Sequence, residues 1–507
     1  MAIDAPPALT GPRASRAVVI GAGLGGLACA LRLQAQGYTV TVLEQCATPG
    51  GRAAQLRDAG FTWDMGPSLI TMPWVLEETF AAAGLDLHAE VDLVALEPFY
   101  RINWATESQH MDFGARERMP EELAKFSARD ARAFEPFLAA LKPIYEQGIL
   151  GAGRRAFLTP GELVRFLPSM LRLGAALPLH RFVARHFEHP RVREAFSFHS
   201  LFIGGDPFRV PAIYAALVYL QFLDGVWYAR GGVHAVVEAM ARGVADLRCG
   251  PEHRAVRIET AGGRVTGVTT AGGARVPADV VVHNGDALAT HELLGRAAPR
   301  RPLRPTMSCL LLYLGTDRPF EQLLHHTLLV GADYRRFIAD VTRRGRLPST
   351  YSTYVHAPAR TVPAMAPPGG DSLCVLLPVP NLRGGVDWER EGDAVRDALV
   401  ADLEATFGLH GLQRAIRVEH RMAPPDFARR FGAVDGNAFA GEPTLHQSAY
   451  FRPHNRDRRV AGLYLAGGGT HPGAGIPGVL LGAEVTAGLI AADHGAPNGR
   501  RHAAVAA

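Results

Sequence analysis

With 507 residues, 48% of them apolar, the chain is about three times the usual single-domain length and can bury more than one core. Its net charge of +4 is a small difference between 53 basic and 49 acidic residues scattered along the chain, without the dense stripe of a nucleic-acid binder, so nucleic acid is excluded as an expected partner. The five cysteines are odd in number and form no CxxC pair, which excludes a disulfide framework and a zinc motif and fits a reducing cytoplasm.

At the start, Arg13 and Arg16 ahead of AVVIGAGLGGLACAL imitate a secretory signal, but the glycines between Gly21 and Gly26 would not help a helical signal core. The same residues read better as strand, turn and helix. Ala17 to Ile20 is a short β-branched run, and Gly21, Gly23 and Gly26 follow in GxGxxG spacing, with Gly25 in the same turn. ACALRLQAQG is then an amphipathic helix closed by Gly37. YTVTVLE makes the next strand and ends in Glu44, placed where a carboxylate accepts from a ribose hydroxyl. Gly21 permits the tight turn, Gly23 lets backbone approach a pyrophosphate, and Gly26 lets the helix lie on the sheet. This βαβ unit predicts a dinucleotide site. Gly51 and Arg52, in PGGRA, follow close enough to bring a guanidinium to the same phosphates.

GFTWDMGPSLITMP, residues 60–73, reads as a strand and a loop through Asp64, Gly66 and Pro67. From about 120 to 225 the chain is mostly helical. Between 151 and 187, Arg154, Arg155, Arg165, Arg172, Arg181 and Arg185 face one acid, Glu162, among Phe157, Leu163, Phe166, Leu167 and Leu171. That pattern suits an interfacial helix on anionic lipid, or equally a solvated basic helix pair packing its apolar side inward. AIYAALVYLQFL is too short to span a bilayer, and no transmembrane helix is predicted. A helix in ARGGVHAVVEAMARGV precedes the strand-like AVRIET, RVTGVTT and ADVVVHNGDA. Later strands such as SCLLLYLGT and SLCVLLPVP predict a second sheet. The last glycine-dense turn, GLYLAGGGTHPGAGIPGV, reads as a strand, a turn and a helix beginning near Pro477 and Gly478.

Four stretches together are similar to the bacterial and fungal type of phytoene desaturase, within the carotenoid desaturase group of flavoproteins. They are PGGRA with FTWDMGPSLIT, SFHSLFIGGDPFRVPAIYA, GNAFAGEPTLHQSAYFRPHNR and GLYLAGGGTHPGAGIPGVLLGAEVTA, in family order over nearly the whole chain. The resemblance implies an α/β fold with a Rossmann-type FAD-binding domain assembled from residues 14–75, 229–290 and 456–494. It further implies a substrate and helical membrane-facing or lid region over 76–228, a mixed β-sheet substrate domain over 291–455, and a disordered tail from 495 to 507. FAD is the implied cofactor, preferred over NAD by the GGR turn. Its implied contacts are the first turn, Glu44, Gly51, Arg52, Gly66, a backbone near Val256, and Gly467, Gly468, Gly469, Thr470, Gly475, Pro477 and Gly478. The implied activity is removal of hydrogen from a long apolar polyene, most simply phytoene, by a cytoplasmic protein held peripherally at the membrane. Quinone or oxygen is the implied electron acceptor, and the oligomeric state is left open.

The same scaffold also serves hydroxycarotenoid 3,4-desaturases, C30 diapophytoene desaturases, ketolases and retinol saturases, and a lipid-escort protein of the Rab GDI type uses it without flavin. His471, Asp206 and Asp64 are the polar groups within the motifs that suit a proton acceptor, although each also suits a structural hydrogen bond. No Ser/His/Asp arrangement, metal-ligand spacing or carboxylate pair is recognised, so the expected metal set is empty.

Overall fold

The computed structural model describes residues 16–299 and 302–495. Its first sheet is five-stranded and wholly parallel, in the spatial order Leu463–Leu465, Val280–His283, Arg16–Ile20, Thr39–Glu44, Leu247–Cys249. Val280, Val281, Val282 and Leu463 are fully buried, as strands covered on both faces must be. The helix Leu24–Ala35 lies on one face beside the C-terminal helix Ile476–His494. A three-stranded antiparallel sheet, Ala255–Ala261, Arg264–Thr270 and Arg275–Pro277, covers the other through Ile258, Val265 and Val268. The sheet thus draws on the start, the middle and the end of the chain.

The second sheet has seven strands, in the order Ile416–Met422, Ser308–Thr316, Asp371–Val379, Thr353–His356, His326–Val330, Tyr100–Trp104, His110–Phe113. It is mixed, because Tyr100–Trp104 runs parallel to His326–Val330 while the other pairs are antiparallel. Its last two strands precede the stretch expected to be mostly helical and come from the 76–228 segment, where no strand was expected. The signal was present: Tyr100, Ile102 and Trp104 are buried while Arg101 and Asn103 are only partly so, a period-2 alternation. From Met119 to Asp224 the segment is indeed largely helical.

The helix Ile476–His494 is long and apolar enough to cross a bilayer. Half of it is buried, however, with Leu480, Leu481 and Ala483 in the core, and its Glu484 is paired with Arg154. It is a core helix of the nucleotide sheet. Gly495 ends it, and the tail expected beyond lies outside the described residues, as do Arg13 and the first two residues of the expected 14–75 segment.

Gly26 makes the close helix-to-sheet contact: a Cβ built there would stand 2.0 Å from the Gly21 carbonyl oxygen. Backbone cannot yield as a side chain can. Gly26→Ala is therefore expected to cost about 2–3 kcal/mol, the range of overpacked cores, measured as a loss of thermal stability.

Candidate functional site

The carboxyl ends of the parallel strands face a cavity of about 670 Å³ that runs between the two sheets. At its polar end, Gly21 leaves the first strand with φ +97° and donates its N–H to Leu43. Glu44 accepts from the N–H groups of Ala22 and Cys46, both at 2.8 Å. Each of its oxygens keeps a lone pair, and the residue lines the cavity. The first and last glycine turns meet across Asn284. Cβ atoms added at Gly25 and Gly467 would lie 2.7 and 2.8 Å from its Oδ1, and its Nδ2 donates to Gly21 O.

Gly21, Gly23, Gly25, Glu44, Gly51, Arg52, Gly66, Gly467, Gly468, Gly475, Pro477 and Gly478 all line this cavity. Four expected contacts stand elsewhere. Gly26 is under the turn, against backbone. Val256 is 41% exposed on its strand, and its predecessors Arg254 and Ala255 reach the cavity instead. Gly469 turns toward Ala287, and the fully buried Thr470 hydroxyl donates to Gly467 O, so it braces the turn rather than facing a ligand.

Arg52 comes into the cavity with its Nε unpartnered and only 3.4 Å contacts from Nη2 to Asn437. Burial lowers its pKa, while Asp286 opposes that. Arg430 and Arg452 line the same space, each with an unpartnered buried Nε, and Arg452 also donates to Gly468 O. Three guanidinium groups with unused donors in one cavity suit an anion. With the glycine turns and the acceptor at Glu44, they fit the pyrophosphate and ribose of a dinucleotide. Asn284, Arg430 and Arg452 were missed in the sequence, although Asn284 and Arg452 lie inside quoted stretches; a lone Asn or Arg carries no spacing signal.

The other end of the cavity is apolar, walled by Phe198, Leu201, Phe202, Leu217, Leu220, Leu328 and Phe337. The lining residues that this wall draws from 198–221, 328–354 and 376–378 include no Asp, Glu or His. Its polar members are Tyr214, Gln221, Tyr334, Ser352, Thr353 and Tyr354.

None of the three expected proton acceptors lines the cavity. Asp64 accepts from the Tyr228 hydroxyl at 2.6 Å, and burial pushes its pKa up to about 6. Asp206 caps its own turn by accepting from Phe208 N–H and faces Thr342 and Arg343; burial raises its pKa too. His471 donates to Ala152 O, lies edge-on to Phe157, and is pushed down to about 4 by burial. Each has the structural role. The fold also gathers His325, His326 and His356, none of them singled out in the sequence, into one buried cluster.

Residues 24–491 match the family of flavin-containing amine oxidoreductases. The phytoene desaturase (lycopene-forming) of Pantoea ananas is 40% identical over 489 residues, covering 94% of this chain and 99% of its own. The phytoene desaturase (neurosporene-forming) of Rhodobacter capsulatus is 37% identical over 492 residues, covering 94% of both. Among solved structures, an oxidoreductase from Methanosarcina mazei superposes with a TM-score of 0.61 at 16% identity, covering 92% of this chain and 98% of its own, a likeness of fold.

Replacing the buried guanidinium tests the polar end. Arg52→Met is expected to weaken FAD affinity by about 1.5–3 kcal/mol, roughly 10- to 100-fold, in a flavin fluorescence titration. Arg52→Lys should recover only part, since one ammonium cannot reproduce the guanidinium fork.

Proposed function

The chain belongs to the phytoene desaturase family of flavin-containing amine oxidoreductases, and from that premise we propose that its substrate is phytoene, desaturated in carotenoid biosynthesis. It is an FAD-dependent oxidoreductase acting on CH–CH groups. The observation that carries the substrate reading is the division of one cavity into a cationic, glycine-walled end and a long apolar end.

Bound FAD supplies the hydride acceptor that an unactivated hydrocarbon requires. Arg52, with Arg430 and Arg452, would hold its phosphates, and Glu44 would hold its ribose. Phe198, Phe202, Leu217, Leu220 and Phe337 exclude water and hold the chain straight by contact alone, as a substrate without polar groups demands. With no Asp, Glu or His contributed by this wall, proton loss from the substrate has only hydroxyls, an amide and water to pass through. On this proposal the chain's residues serve binding and alignment, a role that the apolar wall supports. Quinone or oxygen is the proposed electron acceptor.

A membrane-facing entrance is part of this reading. On the helix Pro160–Arg172 the side chains of Val164, Leu167 and Leu171 share one stripe and are 65, 40 and 63% exposed. Of that helix only Met170 is buried, which favours an interfacial helix over a basic helix turned inward. Leu150 is exposed as well, and its neighbour Ile149 lines the cavity. An apolar surface flanked by Arg165 and Arg172 thus adjoins the apolar tunnel, where a lipid-dissolved substrate would enter a cytoplasmic protein held peripherally at the bilayer.

In a phytoene-accumulating host, expression is expected to convert phytoene to products with longer chromophores, and carotenoid profiling separates neurosporene from lycopene. Unchanged phytoene with flavin bound would reject the substrate, and absence of flavin after incubation with FAD would favour an escort protein. Charge reversal at Arg165 and Arg172 together should weaken binding to anionic liposomes by at least about 2 kcal/mol, some 30-fold, in a flotation assay. Equal binding would return these arginines to a solvated role.

A further inference from the structure

One buried polar cluster takes no part in this scheme. His326 and His356 are directly paired across adjacent strands of the seven-stranded sheet, on the face that carries Leu328 and Tyr354 one step along. Leu328 and Tyr354 line the cavity, so the histidine pair stands one rung beyond, roughly 7 Å further along the strands. His325, just before the strand, brings a third imidazole, and one ring nitrogen from each lies within 4.8 Å of the others.

The outer nitrogens are already engaged. His325 Nδ1 is hydrogen-bonded to the Thr361 hydroxyl at 2.7 Å, and His326 Nδ1 to the Tyr354 hydroxyl at 2.6 Å. Tyr354 is held in turn by Ser68 at 2.6 Å. The inner nitrogens face one another: His325 Nε2 and His356 Nε2 are hydrogen-bonded at 3.2 Å, and the buried His326 Nε2 has no partner among the described residues. In the tautomers in which Nδ1–H of His325 and His326 donates to these hydroxyls, Nε2 of both rings carries the lone pair, the second-shell arrangement of metal-bound histidine. Nearby negative charge comes from Asp64, whose partner Tyr228 lies 4.5 Å from the His325 ring and 5.5 Å from that of His356, centroid to centroid.

We propose that His325, His326 and His356 form a site for a divalent transition-metal ion of the zinc type, tying the strands His326–Val330 and Thr353–His356 together beside the cavity. Three imidazoles suit zinc and its neighbours and exclude magnesium and calcium, which take oxygen ligands. Inner nitrogens 3.2 Å apart match the spacing set by bonds of about 2.0–2.1 Å from a common centre. A small inward shift of His326 would complete the set. None of the three histidines lines the substrate cavity, and three protein ligands leave a fourth position for water.

The test uses the purified, flavin-loaded full chain, treated with chelator, equilibrated with Co²⁺ or Zn²⁺ and freed of excess ion by gel filtration. About one ion per chain should be retained, Co²⁺ should show the ligand-field bands of a low-coordinate site, and X-ray absorption should show an imidazole shell. His326→Gln and His356→Gln should each lower retention at least tenfold with flavin content unchanged. Retention below a tenth of an ion per chain in the unaltered protein would overturn the proposal. So would equal retention by the two variants, or a metal spectrum without imidazole, a readout that does not depend on the variants folding.

Discussion

The meeting of two glycine turns across Asn284 is the contact on which the rest of the structure depends. Gly25 and Gly467 are more than 400 positions apart, yet a single added methyl at either would collide with the same amide oxygen. They come together because the strands before them, with that before Asn284, are parallel neighbours or next neighbours in one sheet and end at the same edge. Loops at the carboxyl edge of such a sheet form a natural crevice, and backbone N–H groups at helix starts make it favourable to anions. The cavity exists only after the beginning, the middle and the end of the chain have joined that sheet.

The second constraint is the face that the seven-stranded sheet turns toward this crevice. Leu311, Leu376, Tyr354 and Leu328 stand side by side across four strands on one face, fixed by the register, and all line the cavity. A one-residue slip would replace them with the opposite set. The apolar wall is therefore a property of pairing rather than of any local motif. One rung beyond, the same register places His356 and His326, so hydrocarbon surface and an imidazole cluster share a face without mixing.

Burial decides which polar groups remain free. Asp64, Asp206 and His471 sit in sequence stretches that look like an active site, and the fold spends each on a nearby donor or acceptor, because an unpaired polar group in a dry interior costs about 1–3 kcal/mol. Asp64 Oδ1 and His471 Nδ1 still lack a partner among the described residues, as do the buried Nε groups of Arg52, Arg430 and Arg452, and of these only the three guanidinium groups line the cavity. Such exceptions mark where a ligand belongs. Here they coincide with the glycine turns, which is why the cofactor end could be built from unrelated segments.

The sequence by itself determined the βαβ turn, because GxGxxG, the helix behind it and Glu44 are bound by short-range geometry that leaves few alternatives. It also determined the last strand, turn and helix, and the strands Ser308–Thr316 and Asp371–Val379, for the same reason: hydrophobic runs with clear punctuation. Tyr100–Trp104 and His110–Phe113 were legible in their alternation and were hidden by the helices around them. What only the tertiary structure decided was company: that Arg430 and Arg452 join Arg52, that Val256 yields its place to Arg254 and Ala255, that Thr470 braces a turn, and that three histidines converge. These depend on contacts between residues up to several hundred positions apart, set by strand order and register, and no spacing along the chain encodes them.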